Sequence, residues 1–144
     1  MRISTKGRYG LRAMVDLAMN STDGPVPLRQ IAERQLISDS YLEQVFTSLR
    51  KNGLVIAARG AQGGYELNRP AQEITVGEIL RALEGPIEPV HCVGKNSKTC
   101  EREKDCITHS FWEELNNTIN QLLDNTTLAD LAERARSSQN MYYI

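Results

Sequence analysis

The stretch LRQIAERQLISDSYLEQVFTSLRKNGLVIAARGAQGGYEL, residues 28–67, decides the fold. Leu28 to Arg34 reads as a short helix with Leu28, Ile31 and Ala32 on its inner side. Gln35-Leu36-Ile37 is a tight connection. Ser38 and Ser40 are both candidate caps, and Ser40 with Glu43 matches the capping-box pattern, in which cap and third residue satisfy each other's backbone donors. The helix that follows carries an apolar stripe of Leu42, Val45, Phe46 and Leu49 and ends at Asn52, with Gly53 just past it. Short helix, sharp turn and longer capped helix make a helix-turn-helix. Leu54 to Ala58 then reads as a strand. Residues 59–64 form a glycine-rich tip, and Tyr65-Glu66-Leu67 returns with strand alternation. The expected fold is mainly α with a small β-hairpin wing, a winged helix-turn-helix.

The polar face of the longer helix points to DNA. Ser40, Tyr41, Glu43, Gln44, Thr47, Ser48, Arg50 and Lys51 offer hydroxyls, a carboxamide, a carboxylate and cations. Such groups near a recognition helix's start meet base edges, and cations and hydroxyls along it meet phosphates. Gln pairs with adenine, and Glu accepts from the cytosine amino group. Arg59 stands at the root of the wing, where an arginine can enter a narrow minor groove. The wing glycines are not a nucleotide cradle, because neither Lys-Ser/Thr nor a helix start follows them. The candidate DNA-contacting set is Lys6, Ser38, Ser40, Tyr41, Glu43, Gln44, Arg50, Lys51, Arg59, Gly60 and Tyr65.

Outside this stretch, residues 5–20 read as a helix with Leu11, Met14, Val15 and Ala18 as its buried stripe and Thr5 as candidate N-cap. Lys6, Arg8 and Arg12 sit near its start, against the helix dipole, a placement that suits a phosphate partner. Thr75 and Glu78 match a capping box ahead of a helix with Val76, Ile79, Leu80 and Leu83 inside. Gly85 to Pro89 ends that helix and starts an extended link. Phe111 to Leu123 is a further helix. Its Trp112, Leu115, Ile119 and Leu122, spaced 3, 4 and 3, form a short coiled-coil seam suited to a symmetric partner. Packing within the chain against the first helix is the alternative. After Asn125-Thr126-Thr127, Leu128, Leu131, Ala132 and Ala135 mark a final short helix, and 137–144 reads as a tail. The resulting division is 1–85 for DNA binding, 86–110 for a linker and ligand loop, and 111–144 for dimerisation.

All three cysteines and both histidines lie within 91–109. The 144-residue chain has net charge −1, but residues 1–70 hold ten Lys/Arg against six Asp/Glu, and 71–144 hold seven against twelve. The basic half fits a polyanion. No apolar run approaches the ~20 residues of a membrane helix, and the start lacks a signal-type stretch, so a cytoplasmic, non-membrane protein is expected. An odd cysteine number in a reducing compartment favours thiolate ligation or redox chemistry over disulfides. The spacing is C-x7-C, C-x5-C, then C-x2-H. Structural zinc sites usually have a closer cysteine pair. The wide spacing leaves an iron–sulfur cluster, zinc or free redox thiols open. Lys95, Lys98, Arg102 and Lys104 could offset the ligand charge, and Glu101, Glu103 and Asp105 partly cancel them. An enzymatic alternative is a small thiol oxidoreductase using Cys106 and His109, but there is no C-x-x-C and no thioredoxin-type alternation.

Residues 1–10 (MRISTKGRYG), 40–44 (SYLEQ), 49–55 (LRKNGLV), 59–65 (RGAQGGY) and the cysteine segment together resemble the IscR-type iron–sulfur cluster-binding winged-helix regulators, with NsrR and CymR types as relatives. The resemblance runs from residue 1 to about residue 135. It implies a homodimeric regulator of transcription binding double-stranded operator DNA. It also implies a 2Fe–2S cluster on Cys92, Cys100, Cys106 and His109, with cluster-assembly proteins as potential donors. Family DNA contacts fall on Ser40, Tyr41, Gln44 and Arg59, with Glu43 tuning the operator class. The gap between Cys92 and Cys100 is longer than in the best-known members, and the terminal MYYI looks more like the cysteine-metabolism branch. His91 competes as fourth ligand but would need a strained turn beside Cys92, whereas His109 can face inward from a helix start. Asp105 is a further candidate. A zinc-stabilised or thiol-redox-sensing repressor of the cysteine-metabolism type is the alternative.

Overall fold

The computed structural model describes residues 2–94 and 105–141. Among these residues, six helices and one hairpin follow the order α1 (Thr5–Asn20), α2 (Leu28–Gln35), α3 (Asp39–Lys51), β1 (Val55–Ala58), β2 (Gly64–Leu67), α4 (Val76–Glu84), α5 (His109–Asn125) and α6 (Leu128–Met141). Single 3₁₀ turns at Ser21–Asp23 and Ala71–Glu73 complete the connections.

α1 departs from its expected details. Ser4, not Thr5, is the N-cap: Ser4 is extended, and its hydroxyl accepts from the Gly7 N–H at 3.4 Å. The Glu84 carboxylate, at the end of α4, accepts from the Ser4 and Gly7 amides at 2.9 and 3.0 Å. An anion there meets the positive end of the helix dipole. The buried face is Gly7, Gly10, Ala13, Met14 and Leu17, while Leu11, Val15 and Ala18 lie half-buried beside it. Met14 belongs to the expected and the observed stripe alike; leaving the glycines out of the count shifted the rest of it by part of a turn. The glycines let α1 and α4 approach: a Cβ on Gly10 would collide with Leu83 Cδ1 and stand 3.2 Å from Val45 Cγ1.

The same helix carries a buried carboxylate. Asp16 accepts from Arg34 Nε at 2.9 Å and Nη2 at 2.7 Å, and from Gln35 Nε2 at 2.9 Å. This ties α1 to the end of α2. That hydrogen bond to Asp16 holds the Arg34 guanidinium above its ordinary pKa.

α2 ends at Leu36, which takes the left-handed conformation at φ 56°, ψ 48° and donates its N–H to Ala32 O. That conformation costs an L-residue roughly 1–2 kcal/mol. Ile37, next in line, is buried. Ser38 caps α3, accepting from the Tyr41 N–H at 3.3 Å. The expected box at Ser40 and Glu43 is not the cap, because Ser40 already lies within the first helical turn. Leu42, Val45, Phe46 and Leu49 are fully buried, as their spacing predicts. Gly53, at φ 75°, reverses the chain after α3.

β1 and β2 pair antiparallel, Val55 opposite Leu67 and Ala58 opposite Gly64. Val26 adds a bridge on the other side of β2, exchanging two 2.9 Å hydrogen bonds with Tyr65. The hairpin is therefore anchored to the chain ahead of α2.

α4 opens with the expected Thr75–Glu78 capping box, both bonds 3.1 Å. All four residues of its stripe are buried, but they serve two clusters. Ile79 and Leu83 join the α1–α3 core. Val76 and Leu80, with Ile87, form a second cluster against Leu11, Ile119, Leu123 and Leu131. α5 starts and ends two residues beyond its expected limits. α6 is longer than expected, since its helix continues to Met141 where a tail was read from 137. Its opening is set by a reciprocal cap, Thr127 N–H to Asp130 at 2.9 Å and Asp130 N–H to Thr127 Oγ1 at 3.1 Å. No Gly or Pro follows before Met141 to stop it. Leu128 is fully buried in the α1–α4 core, and its N–H donates to Ile74 O at 2.8 Å. No helix among the described residues is long and apolar enough to cross a membrane.

Candidate nucleic-acid interface and thiol groove

Burial of one side of α3 leaves the other in water. Ser38, Ser40, Glu43, Gln44, Arg50 and Lys51 are exposed, and Tyr41, Thr47 and Ser48 are half-buried. Thr47 and Ser48 donate their hydroxyls back to the carbonyls of Glu43 and Gln44, at 2.8 and 3.4 Å. Lys6 Nζ donates to Ser48 Oγ at 3.1 Å, so α1 brings its cation to the flank of α3. Arg59 and Gly60 are exposed at the wing. Lys6 and the exposed side of α3 thus share one face, while Arg59 and Gly60 stand exposed at the wing.

Two of the aromatic candidates have structural contacts. The Tyr65 ring packs edge-on against Phe46, centroids 5.0 Å apart, which makes it a support between wing and core. Tyr41 meets Tyr9 edge-on at 6.1 Å. The guanidinium of Arg12 lies 5.3 Å over the Tyr9 ring, and its Nη2 donates to Gln35 O at 2.7 Å. This places Arg12, which the candidate DNA-contacting set omitted, beside the helix-turn-helix turn. Its signal was present as part of the basic start of α1, but only the packing shows where the charge ends up.

A groove of about 880 Å³ lies where the end of α4, the 85–94 link and α5 meet. Arg81, Ile87, Glu88, Cys92, Glu113 and Asn120 are among its lining residues. Arg81 clamps α5, donating to Asp124 at 2.6 and 3.2 Å and to Asn120 Oδ1 at 2.6 Å. Asn120 in turn donates to Ile87 O at 3.3 Å. Sequence patterns do not show this clamp, because its members lie far apart in the chain.

The candidate ligands divide around this groove. Cys92 is half-buried and lines it. His109 is half-buried at the start of α5, with Nε2 3.0 Å from Oε1 of Glu113, which lines the same groove. Cys106 is exposed, its Sγ 3.4 Å from Thr108 Oγ1. His91 is exposed and does not line the groove. Asp105 is exposed too. Cys100 lies outside the described residues, as do Lys95, Lys98, Glu101, Arg102, Glu103 and Lys104. Of these candidates only Cys92 lines the groove, and no three His, Cys, Asp or Glu side chains lie together as a metal site among the described residues; as residue types, cysteine thiols with one imidazole suit a thiophilic metal or an iron–sulfur cluster.

The expected seam on α5 is split between two sides. Ile119 packs inward on the second cluster, together with Leu123. Leu122 is 67% exposed and Phe111 is exposed, while Leu115 and Trp112 are half-buried. The outward line is therefore Phe111, Leu115 and Leu122. Helix periodicity alone could not separate the two sides, because the stripe facing the core and the stripe facing outward adjoin.

Comparison with known proteins supplies the context. The family model Rrf2, described as an iron-dependent transcriptional regulator, matches residues 3–134. The HTH-type transcriptional regulator IscR of Yersinia pseudotuberculosis is 48% identical over 131 residues, 91% of this chain and 79% of that one. The structure of T. potens IscR superposes with a TM-score of 0.77 at 44% identity, covering 99% of this chain and 97% of that one. CymR, the global cysteine regulator of B. subtilis, gives a TM-score of 0.77 at 43% identity, covering 93% and 98%. These relatives are named for regulation rather than catalysis, and the thiol-oxidoreductase alternative is set aside on that ground.

Proposed function

Because the chain belongs to the Rrf2 family of iron-dependent transcriptional regulators, we propose that it reads operator DNA as a cytoplasmic homodimer and couples that reading to a 2Fe–2S cluster. The observation that carries the DNA reading is the exposed polar start of α3, with Ser40, Glu43 and Gln44 in water above a fully buried apolar stripe. Arg59 at the wing and Lys6 at the flank extend it. In this reading Gln44 and Ser40 meet base edges, and Arg50 and Lys51 meet phosphates. Glu43 restricts the operators accepted: its carboxylate costs affinity unless a cytosine amino group meets it.

Cys92, Cys100, Cys106 and His109 would hold the cluster. Bound there, it would supply a redox-sensitive centre whose occupancy reports the supply of iron and sulfide, with assembly proteins as donors. The chain's own residues supply the coupling. Cys92 lines the groove that Arg81 and Asn120 span, so a cluster held by Cys92 would bear directly on how α5 sits against α4. α5 presents Phe111, Leu115 and Leu122 outward for a second copy, so its seating bears on the relation of two DNA-reading faces.

The test measures operator binding by wild type and Cys92→Ala, each with and without Glu43→Ala, beside the visible spectrum and iron and sulfide content of anaerobic protein. The expected results are red-brown protein and an operator preference that Cys92→Ala changes through Glu43. Colourless protein, or preference unchanged by Cys92→Ala, refutes the sensing model. The likeness to CymR favours a second reading, a thiol- or zinc-dependent repressor of the cysteine-metabolism type, which requires iron-free protein that still binds DNA.

A further inference from the structure

We propose that Leu36 is a specificity-determining DNA contact, whose side chain meets the C5 methyl group of a thymine at the edge of each half-site. The proposal rests on the reading of the chain as an operator-binding regulator. Among the described residues Leu36 is the one non-glycine with positive φ. The residue is 91% exposed.

Folding gives no reason for leucine here. The left-handed position closing α2 favours glycine or asparagine. An exposed leucine adds apolar surface to water without burying any. The Leu36 side chain makes none of the turn's hydrogen bonds; within the backbone, Leu36 N–H and Ile37 N–H both donate to Ala32 O. Ile37 supplies the apolar anchor by entering the core. Any residue that tolerates the left-handed region would build the same turn.

The surroundings select the occupant. Leu36 precedes the start of α3 by two residues, and the exposed hydroxyls of Ser38 and Ser40 follow it. Arg12 is fixed on the carbonyl of Gln35 immediately before it, at 2.7 Å, and braced over Tyr9. An isolated apolar tip within a rim of hydroxyls and a guanidinium does not resemble a protein-docking surface, which would continue the apolar area. It fits the major groove, where phosphates take the cations and the thymine methyl is the apolar group on offer.

The test starts from duplexes that the wild-type protein enriches from a random-sequence pool. Each thymine of the enriched duplex is replaced singly by deoxyuridine, which removes only the C5 methyl group. Affinities are measured by fluorescence anisotropy for wild type, Leu36→Gly and Leu36→Asn, both variants suited to the left-handed turn. Wild type should lose about fourfold at one thymine per half-site, the affinity carried by one buried methyl-sized group. The variants, which lose the contact in both half-sites of the dimer, should bind the unmodified duplex about sixteenfold more weakly and lose nothing further at that thymine. Variants that bind like wild type overturn the proposal. So does a loss in the variants that is independent of every methyl group, which would assign Leu36 to another partner. If wild type enriches no sequence at all, the regulator reading itself fails, a result distinct from either.

Discussion

Replacing Arg34 by methionine should cost roughly 3 kcal/mol of folding stability, more than replacing the Asp16 it binds by asparagine. The magnitude follows from which charge is stranded. Removing one partner of a buried ion pair costs about 3–5 kcal/mol when the remaining charge stays desolvated. The Asp16 side chain is 3% exposed, and the Arg34 side chain 38%. Without Arg34 the carboxylate keeps only neutral amide donors, Gln35 Nε2 at 2.9 Å and Asn20 Nδ2 at 3.3 Å. Those bonds place the loss near the lower end of that range. In Asp16→Asn the stranded guanidinium reaches water, and the amide oxygen still accepts one bond, so about 1–2 kcal/mol is expected. Urea unfolding followed by circular dichroism gives both values, provided the slope with denaturant is unchanged. Equal losses, or a larger loss for Asp16→Asn, would refute the argument, because the order depends only on the difference in burial.

Gly10→Ala should destabilise by about 1–3 kcal/mol despite alanine's better helix propensity, because its Cβ would meet Leu83 and Val45 in a packed core. The thermal midpoint checks it, and restoration by Gly10→Ala with Leu83→Ala would tie the loss to that contact. Asp130 gives a pH prediction. The hydrogen bond from the Thr127 backbone holds its carboxyl below the ordinary carboxylate pKa. A lowered folded pKa means the stabilisation is fully present above the unfolded value and is lost as pH falls through the folded one. The protection of amides at the start of α6, measured against the intrinsic exchange rate at each pH, should therefore fall on acidification through the carboxylate range, and Asp130→Asn should abolish that dependence.

The apolar spacing of 28–67 was sufficient to define the helix-turn-helix and wing, because Leu42, Val45, Phe46 and Leu49 repeat at helical intervals and the wing alternates. Those are local properties of a chain with one buried side. The Thr75 box was legible for the same reason, its partners lying three residues apart. The α1 stripe was misjudged because close packing there uses glycines, which no scale of hydrophobicity marks. The cap of α3 fell to Ser38 because two serines met the local rule, and only the path of the turn through Leu36 chose between them.

The sequence alone determined a helix-turn-helix with a hairpin wing and a segment rich in soft ligands, since residue type and short spacing encode both. Tertiary structure decided what lies beside what. It buried Asp16 against Arg34, split the α4 stripe between two clusters, turned Leu122 outward and Ile119 inward, and set Cys92 in the groove that Arg81 closes. It also left Leu36 strained and in water at the mouth of α3. Each of these depends on residues distant in the chain, where the free energy of contact, not the local pattern, fixes the arrangement.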